Sequence, residues 1–309
     1  MKVLLTGSSG MVGRNILDHP DSKKFEFICP KRGELNLLNK NEVEHFFKTN
    51  RIDLVIHAAG IVGGIQANIK NQAKFLLENS IIGLNIISAA FSYNVHKLIN
   101  LGSSCMYPKE SKNPINESQL LTGQLEPTNE GYALAKIISA KQCEYISEQN
   151  SEYFYKTIIP CNLYGKFDHF SSDRSHLLPA IILKLHRASI EGYPDVEIWG
   201  DGTARREFMY AEDLADSIFF IIKNIEKIPQ YLNVGNGLDY SVLDYYMTAA
   251  SVLSYSGDFK FNTNMPSGMN QKLVDSSIIN SLGWFPKTNL EDGIEKTYKY
   301  FLDKEWNTN

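Results

Sequence analysis

The chain has 309 residues, 43% hydrophobic and 21% charged, enough for one sizeable core with a smaller lobe attached. A net charge of −4 excludes a global attraction to nucleic acid or to an anionic membrane surface. Cys29, Cys105, Cys143 and Cys161 form no CxxC pair and no framework, which points to free thiols in a reducing, cytoplasmic setting. The apolar run at residues 3–5 is too short for a signal peptide. The longest apolar stretch, residues 75–91, contains Glu78, Asn79, Ser80, Asn85 and Ser88, so a buried helix is expected there and no membrane span.

Through the first 160 or so residues, short apolar runs alternate with helical patterns. Strands are predicted at 3–5, 25–29, 54–58, 98–101 and 157–159, and helices at 11–18, 40–49, 71–94 and 131–149. This rhythm predicts an α/β fold: a doubly wound, parallel, Rossmann-type sheet covered on both faces. Such sheets bind ligands beyond the carboxyl ends of their strands. Past about residue 165 the loops lengthen and a helix at 177–188 stands without a regular strand partner. We therefore expect a dinucleotide-binding domain over 1–165, with returning segments near 208–250, and a smaller α/β substrate-binding lobe over most of 166–309.

The first strand runs into Gly7-Ser8-Ser9-Gly10-Met11-Val12-Gly13, which opens a helix. Glycines permit the tight turn and close backbone approach, and a helix N-terminus offers unpaired N–H groups to a pyrophosphate. Such a turn can also be purely structural, but here the strand, the helix and the N-terminal position all agree with a dinucleotide site. An NAD site places a carboxylate at the end of the second strand, on the ribose 2′-hydroxyl. This chain has Cys29-Pro30-Lys31-Arg32 there, two cations suited to a 2′-phosphate, so the expected cofactor is NADP(H).

Tyr132 and Lys136 stand four residues apart, on one face of a helix. Ser103 follows the strand ending at Leu101-Gly102 and would reach the same crevice. Hydride delivered to a carbonyl carbon makes an alkoxide that needs a proton. A phenol near pKa ~10, lowered by an adjacent ammonium together with the nicotinamide, can give one. A serine hydroxyl would hold the carbonyl oxygen in place. Tyr-x-x-x-Lys alone is a common surface pair. After a dinucleotide loop and a strand-end serine, it indicates a short-chain dehydrogenase/reductase.

Longer stretches narrow the resemblance. Residues 62–68 read Val-Gly-Gly-Ile-Gln-Ala-Asn, 102–109 Gly-Ser-Ser-Cys-Met-Tyr-Pro-Lys, and 121–130 Leu-Thr-Gly-Gln-Leu-Glu-Pro-Thr-Asn-Glu. Asn162-Leu163-Tyr164-Gly165, the Ser175–Ala180 segment, Arg206-Glu207-Phe208 and Leu282-Gly283-Trp284 continue the match along nearly the whole chain. The sequence resembles the GDP-L-fucose synthase family, bifunctional GDP-4-keto-6-deoxy-mannose 3,5-epimerase/4-reductases among the extended short-chain dehydrogenases. The resemblance implies reduction by Ser103, Tyr132 and Lys136, and epimerisation with Cys105 and His176 as acid and base. It implies cofactor contacts from Leu101, Gly102, Pro160, Cys161, Asn162, Leu163 and His176 besides the glycine loop. Lys184, Trp199, Arg206, Lys272 and Asp275 would hold the GDP-sugar, and a homodimer would form on the helices near 71–94 and 131–149. Departures are Gly60-Ile61 in place of alanine and lysine, Gly131 before the tyrosine, Cys161 for threonine and Arg174 for asparagine.

The chemistry is coherent by itself. A C4 ketone acidifies the hydrogens on C3 and C5, and groups poised at its oxygen stabilise the enolate. Inversion needs a proton removed from one face and returned on the other, within reach of a thiol and an imidazole. Reduction destroys the ketone, so epimerisation comes first. Asp168, His169, Asp173 and His176 match no closed zinc pattern, and no metal is expected. Rival readings are a reductase without epimerase activity, a GDP-colitose or GDP-heptose relative, and a 4,6-dehydratase or 4-epimerase. A dehydratase would carry Thr-Asp-Glu at residues 103–105. An NADP-sensing regulator would commonly lack the Tyr-Lys pair.

Overall fold

The alternation of apolar strands with amphipathic helices sets the fold, and the computed structural model describes residues 1–171, 175–265 and 269–306. Arg174 and Asp173 lie outside the described residues. In chain order the elements are β1 (Lys2–Thr6), α1 (Met11–Asp18), β2 (Glu26–Ile28), α2 (Lys40–Thr49), β3 (Leu54–His57), α3 (Ile65–Lys70), α4 (Gln72–Ser92), β4 (Lys97–Leu101), α5 (Glu130–Gln149) and β5 (Phe154–Pro160). Then come β6 (Asn162–Tyr164), α6 (Leu177–Glu191), β7 (Asp195–Trp199), β8 (Arg205–Tyr210), α7 (Ala211–Asn224), β9 (Tyr231–Val234), β10 (Asp239–Ser241) and α8 (Val242–Leu253). The last are β11 (Asp258–Asn262), β12 (Gln271–Lys272), α9 (Ser277–Ser281) and α10 (Leu290–Trp306).

Six strands form a parallel sheet in the order β2-β1-β3-β4-β5-β9. Val3, Leu4, Leu5, Leu54, Val55, Ile56, Leu98 and Ile99 are fully buried, as strands covered on both faces require. The order steps outward from β1 in both directions, so the loops after β1 and β3 open a crevice where it reverses. β9 returns late in the sequence to pair with β5, Thr157 opposite Tyr231. Helix α4 is long and apolar enough to cross a bilayer by composition alone, but it packs along α5. Phe75, Asn79, Ile82, Ile86 and Ile87 are buried there, and Gly83 permits the approach, since a Cβ would lie 2.0 Å from the Ser139 hydroxyl.

Smaller sheets centre on β8, which pairs with β10 antiparallel and with β12 and β6 in parallel. β7 and β11 form a separate parallel pair. A second core of Leu178, Ile181, Phe208, Tyr210, Tyr245, Ile294 and Phe301 fastens α6, α8 and α10 to this region. Helix α6 stops at Gly192, which takes the left-handed conformation at φ 71° that ends many helices.

Candidate active site

A cleft of about 1100 Å³ runs from the carboxyl ends of β1, β4 and β5 to α6 and β8. At one end lies the glycine loop. Gly7 has φ 72°, and a Cβ on it would sit 2.7 Å from the Ala58 backbone. A Cβ on Gly13 would lie 2.3 Å from the Gly7 carbonyl oxygen, so α1 and the loop touch backbone to backbone. Helix α1 starts at Gly10 with no side-chain cap, leaving its first N–H groups for an anion. This cradle fits a dinucleotide pyrophosphate. Lys31 and Arg32 line the cleft beyond Pro30. Of the carboxylates nearby, Glu34 accepts the Lys31 N–H at 2.8 Å and Glu42 the Asn36 N–H at 3.0 Å, and neither lines the cleft.

At the centre stand Ser103, Cys105, Tyr132 and Lys136. The strand ends at Leu101, and Ser103 caps a short 3₁₀ turn, its Oγ accepting the Cys105 N–H at 3.4 Å. Cys105 therefore reaches the cleft on a helical turn. The Lys136 ammonium donates to the Leu101 carbonyl at 2.8 Å and lies 5.8 Å from the Tyr132 ring centroid. Phe75 packs edge-on to that ring at 6.5 Å.

Within the protein itself, burial pushes the Tyr132 phenol up, with Cys105 adding to the rise. The lowering expected of Lys136 together with the nicotinamide would act against that push. The ammonium itself is drawn down to about 8 by burial. Desolvation explains both, because each charged form loses its water. Burial also raises the Cys105 thiol, against a smaller opposing pull from the Lys272 charge and the Ser103 hydrogen bond. His176, at the start of α6, opens onto the cleft, and desolvation there lowers its imidazole.

Pro160, Cys161, Asn162 and Leu163 form the floor between β5 and β6. Cys161 is buried, its thiol raised by burial and by Glu207. The far end carries Lys184, Trp199, Arg206 and Lys272. Lys184 donates to the Glu197 carbonyl at 3.1 Å and stands 5.4 Å from the Trp199 ring centre. Arg206 donates to the carbonyls of Arg205 and Met269 at 2.8 and 2.6 Å. Burial lowers Lys184, Arg206 and Lys272, as expected of cations gathered for an anion.

All the site residues read from sequence line this cleft except Asp275. Its carboxylate accepts the Ser277 N–H at 2.9 Å at the start of α9, and its carbonyl accepts from Asn233. A residue three beyond Lys272 leaves the cleft because the chain turns to bridge Ile115 to Val274. The sequence reading named only part of the lining. Asn68 and Asn129 line the cleft with buried side-chain oxygens that have no partner among the described residues. Both lay inside the quoted motifs, but an asparagine in a motif carries no proton-transfer signal. Among the described residues no three His, Cys, Asp or Glu side chains group as metal ligands.

A parallel sheet with a glycine-rich turn after its first strand, and a serine, tyrosine and lysine lining one cleft beyond its fourth, is the arrangement of the short-chain dehydrogenase/reductase class. The chain belongs to the NAD dependent epimerase/dehydratase family, whose model matches residues 3–235. It is 54% identical over 307 residues to GDP-L-colitose synthase of Yersinia pseudotuberculosis, covering 99% of this chain and all of that one. It is 48% identical to GDP-L-fucose synthase of Azorhizobium caulinodans, covering 97% and 96% of the two chains. Among solved structures it is similar to the NADP-bound GDP-mannoheptose C4 reductase of Campylobacter jejuni. The TM-score is 0.89 at 32% identity, over 97% of this chain and 98% of that one.

Proposed function

We propose that the protein is an NADPH-dependent epimerase/reductase that converts GDP-4-keto-6-deoxy-D-mannose to GDP-L-fucose, inverting C3 and C5 and then reducing C4. The observation that carries this reading is one cleft lined by Ser103, Tyr132, Lys136, Cys105 and His176, with a pyrophosphate cradle at one end and three cations at the other. When bound, the dinucleotide supplies a hydride to sugar C4. Tyr132 donates the proton to the C4 oxygen, and burial keeps the phenol protonated for that step. The Ser103 hydroxyl donates to the same oxygen, and during epimerisation both groups steady the enolate. Lys136, tied to Leu101, sets positive charge near the phenol. Cys105 and His176 remove and return the protons at C3 and C5. Lys184, Arg206 and Lys272 hold the GDP diphosphate, and Trp199 offers its ring to the nucleotide.

The cofactor-binding domain would be residues 1–165 with returning segments near 208–250, and the substrate lobe most of 166–309. A cytoplasmic homodimer suits the four free thiols and the apolar outer faces of α4 and α5, where Leu77 is 61% and Tyr145 50% exposed. A second reading, inversion at C5 alone on the 3-deoxy sugar, is favoured by the 54% identity to GDP-L-colitose synthase. NADPH consumption in D₂O tests both. Turnover of GDP-4-keto-6-deoxy-D-mannose with deuterium at C3 and C5 supports the first. Turnover of only the 3-deoxy analogue, labelled at C5, selects the second. No turnover of either overturns both.

A further inference from the structure

Glu207 sits beside Arg206 on β8 and is 1% exposed, yet it is outside the cleft lining. Its Oε2 accepts the Val274 N–H at 2.9 Å and its Oε1 accepts the Gly237 N–H at 2.8 Å. Each contact reaches a segment that serves the site. Val274 stands two residues after Lys272, and β12 is only two residues long, joined to β8 by the pairs Gln271–Arg205 and Lys272–Arg206. So short a strand needs anchors beyond its own ladder, and the carboxylate supplies one of them, beside the bridge to Ile115 and the Leu273 N–H held by Asn113 Oδ1 at 2.8 Å. Gly237 belongs to the turn between β9 and β10. That turn follows Asn233, whose side-chain oxygen accepts the Tyr107 hydroxyl at 2.7 Å. Tyr107 lies two residues past Cys105. The turn is shaped around the carboxylate, since a Cβ on Gly235 would fall 2.3 Å from Glu207 Oε1.

Burial raises the Glu207 carboxyl to about 7, so the fold keeps a poorly solvated acid where a glutamine would fill the same volume. A glutamine cannot replace it. One amide oxygen can serve one N–H, but the amide nitrogen would meet the other donor head-on.

We propose that Glu207 is a positioning residue that fixes Lys272 against Arg206 by clasping the Val274 and Gly237 backbones, and so sets the affinity for the nucleoside diphosphate end of the substrate. This rests on the reading that Arg206 and Lys272 bind that diphosphate. The test measures GDP binding by calorimetry and NADPH binding by fluorescence for the parent, E207Q, E207D, G235A and R206A. E207Q is expected to raise the GDP dissociation constant about tenfold, the equivalent of about 1.4 kcal/mol, with NADPH affinity unchanged. G235A, whose Cβ would meet the carboxylate at 2.3 Å and the Val274 side chain at 2.7 Å, should act in the same direction. E207D, which keeps the charge on a shorter stem, decides the matter if E207Q does not fold: GDP binding like that of the parent in E207D overturns the proposal. Parent-like GDP binding in E207Q overturns the proposal, and so does equal loss of both ligands, which would mean a fold-wide defect. R206A separates the two layers. If it loses GDP while E207Q does not, only this proposal falls; if R206A binds GDP like the parent, the diphosphate reading falls with it.

Discussion

Replacing Gly13 with alanine tests the dinucleotide cradle by a clash whose size the structure fixes. Gly13 lies in the first turn of α1, where helix propensity alone would favour alanine by about 1 kcal/mol. The added Cβ would lie 2.3 Å from the Gly7 oxygen and 2.6 Å from the Ser8 Cα. Both obstacles are backbone, so no rotamer change relieves them, and the loop must move by about 1 Å to restore ordinary contact distances of ~3.5 Å. Overpacking of this kind costs about 1–3 kcal/mol, which exceeds the propensity gain. The displaced N–H groups are those proposed to hold the pyrophosphate. Fluorescence titration of Gly13→Ala should therefore give an NADPH dissociation constant raised at least about tenfold, beside a lowered melting temperature. Gly33→Ala is the matched control, because a Cβ there meets nothing within 4 Å. If Gly13→Ala binds NADPH and melts like the parent, the backbone-contact argument is wrong.

Three further outcomes follow from the same geometry. Cys105→Ser replaces a thiol with a far weaker acid, so deuterium exchange at the inverted carbons should drop by about 10²–10⁴, while reduction of an already epimerised substrate proceeds. Parent-like exchange would remove Cys105 from the mechanism. His57 is buried against the Thr6 hydroxyl at 2.8 Å, and burial, with the Lys136 charge, lowers it to about 3. Between about pH 3 and 6.5 the folded state then binds fewer protons at this site than the unfolded one, so the His57 contribution to stability is complete above that window and falls by up to about 1.4 kcal/mol per pH unit within it. Urea midpoints against pH should lose that slope in His57→Gln, and an unchanged slope would locate the acid sensitivity elsewhere. Ile138 is 38% exposed on the outer face of α5. Ile138→Glu should turn a dimer into a monomer by light scattering while NADPH binding survives, and a monomeric parent would refute the proposed assembly.

The sequence made the parallel sheet legible because β1, β3 and β4 are continuous apolar runs buried on both faces. Helices α1 and α2 begin and end where the pattern predicts them. The short strands β6, β10 and β12 carried no such signal, because each is made by pairing with β8, far away in sequence. Strand β2 came out shorter than expected since, as the sheet edge, it pairs only with β1. Helix α3 was hidden inside a motif noted for its resemblance. Ser103, Tyr132 and Lys136 could be named because their side chains have distinctive proton chemistry, whereas Cys105, His176 and the residues expected to hold the GDP-sugar were named through the family resemblance. Their environment could not be, since acidity depends on burial that only the folded chain sets: burial pushes the Tyr132 phenol up, against the lowering that Lys136 and the nicotinamide would give. Glu207 was seen only as part of a motif, its clasp invisible until β12 and the turn at Gly237 came together around it.

The most direct measurement is turnover of Tyr132→Phe, scored as NADPH oxidation with the 4-keto sugar nucleotide. Phenylalanine keeps the ring packed against Phe75 and removes only the hydroxyl. The account predicts a fall of about 10²–10⁴ in turnover, the contribution expected of a positioned proton donor, with NADPH binding intact. Turnover close to that of the parent would contradict it.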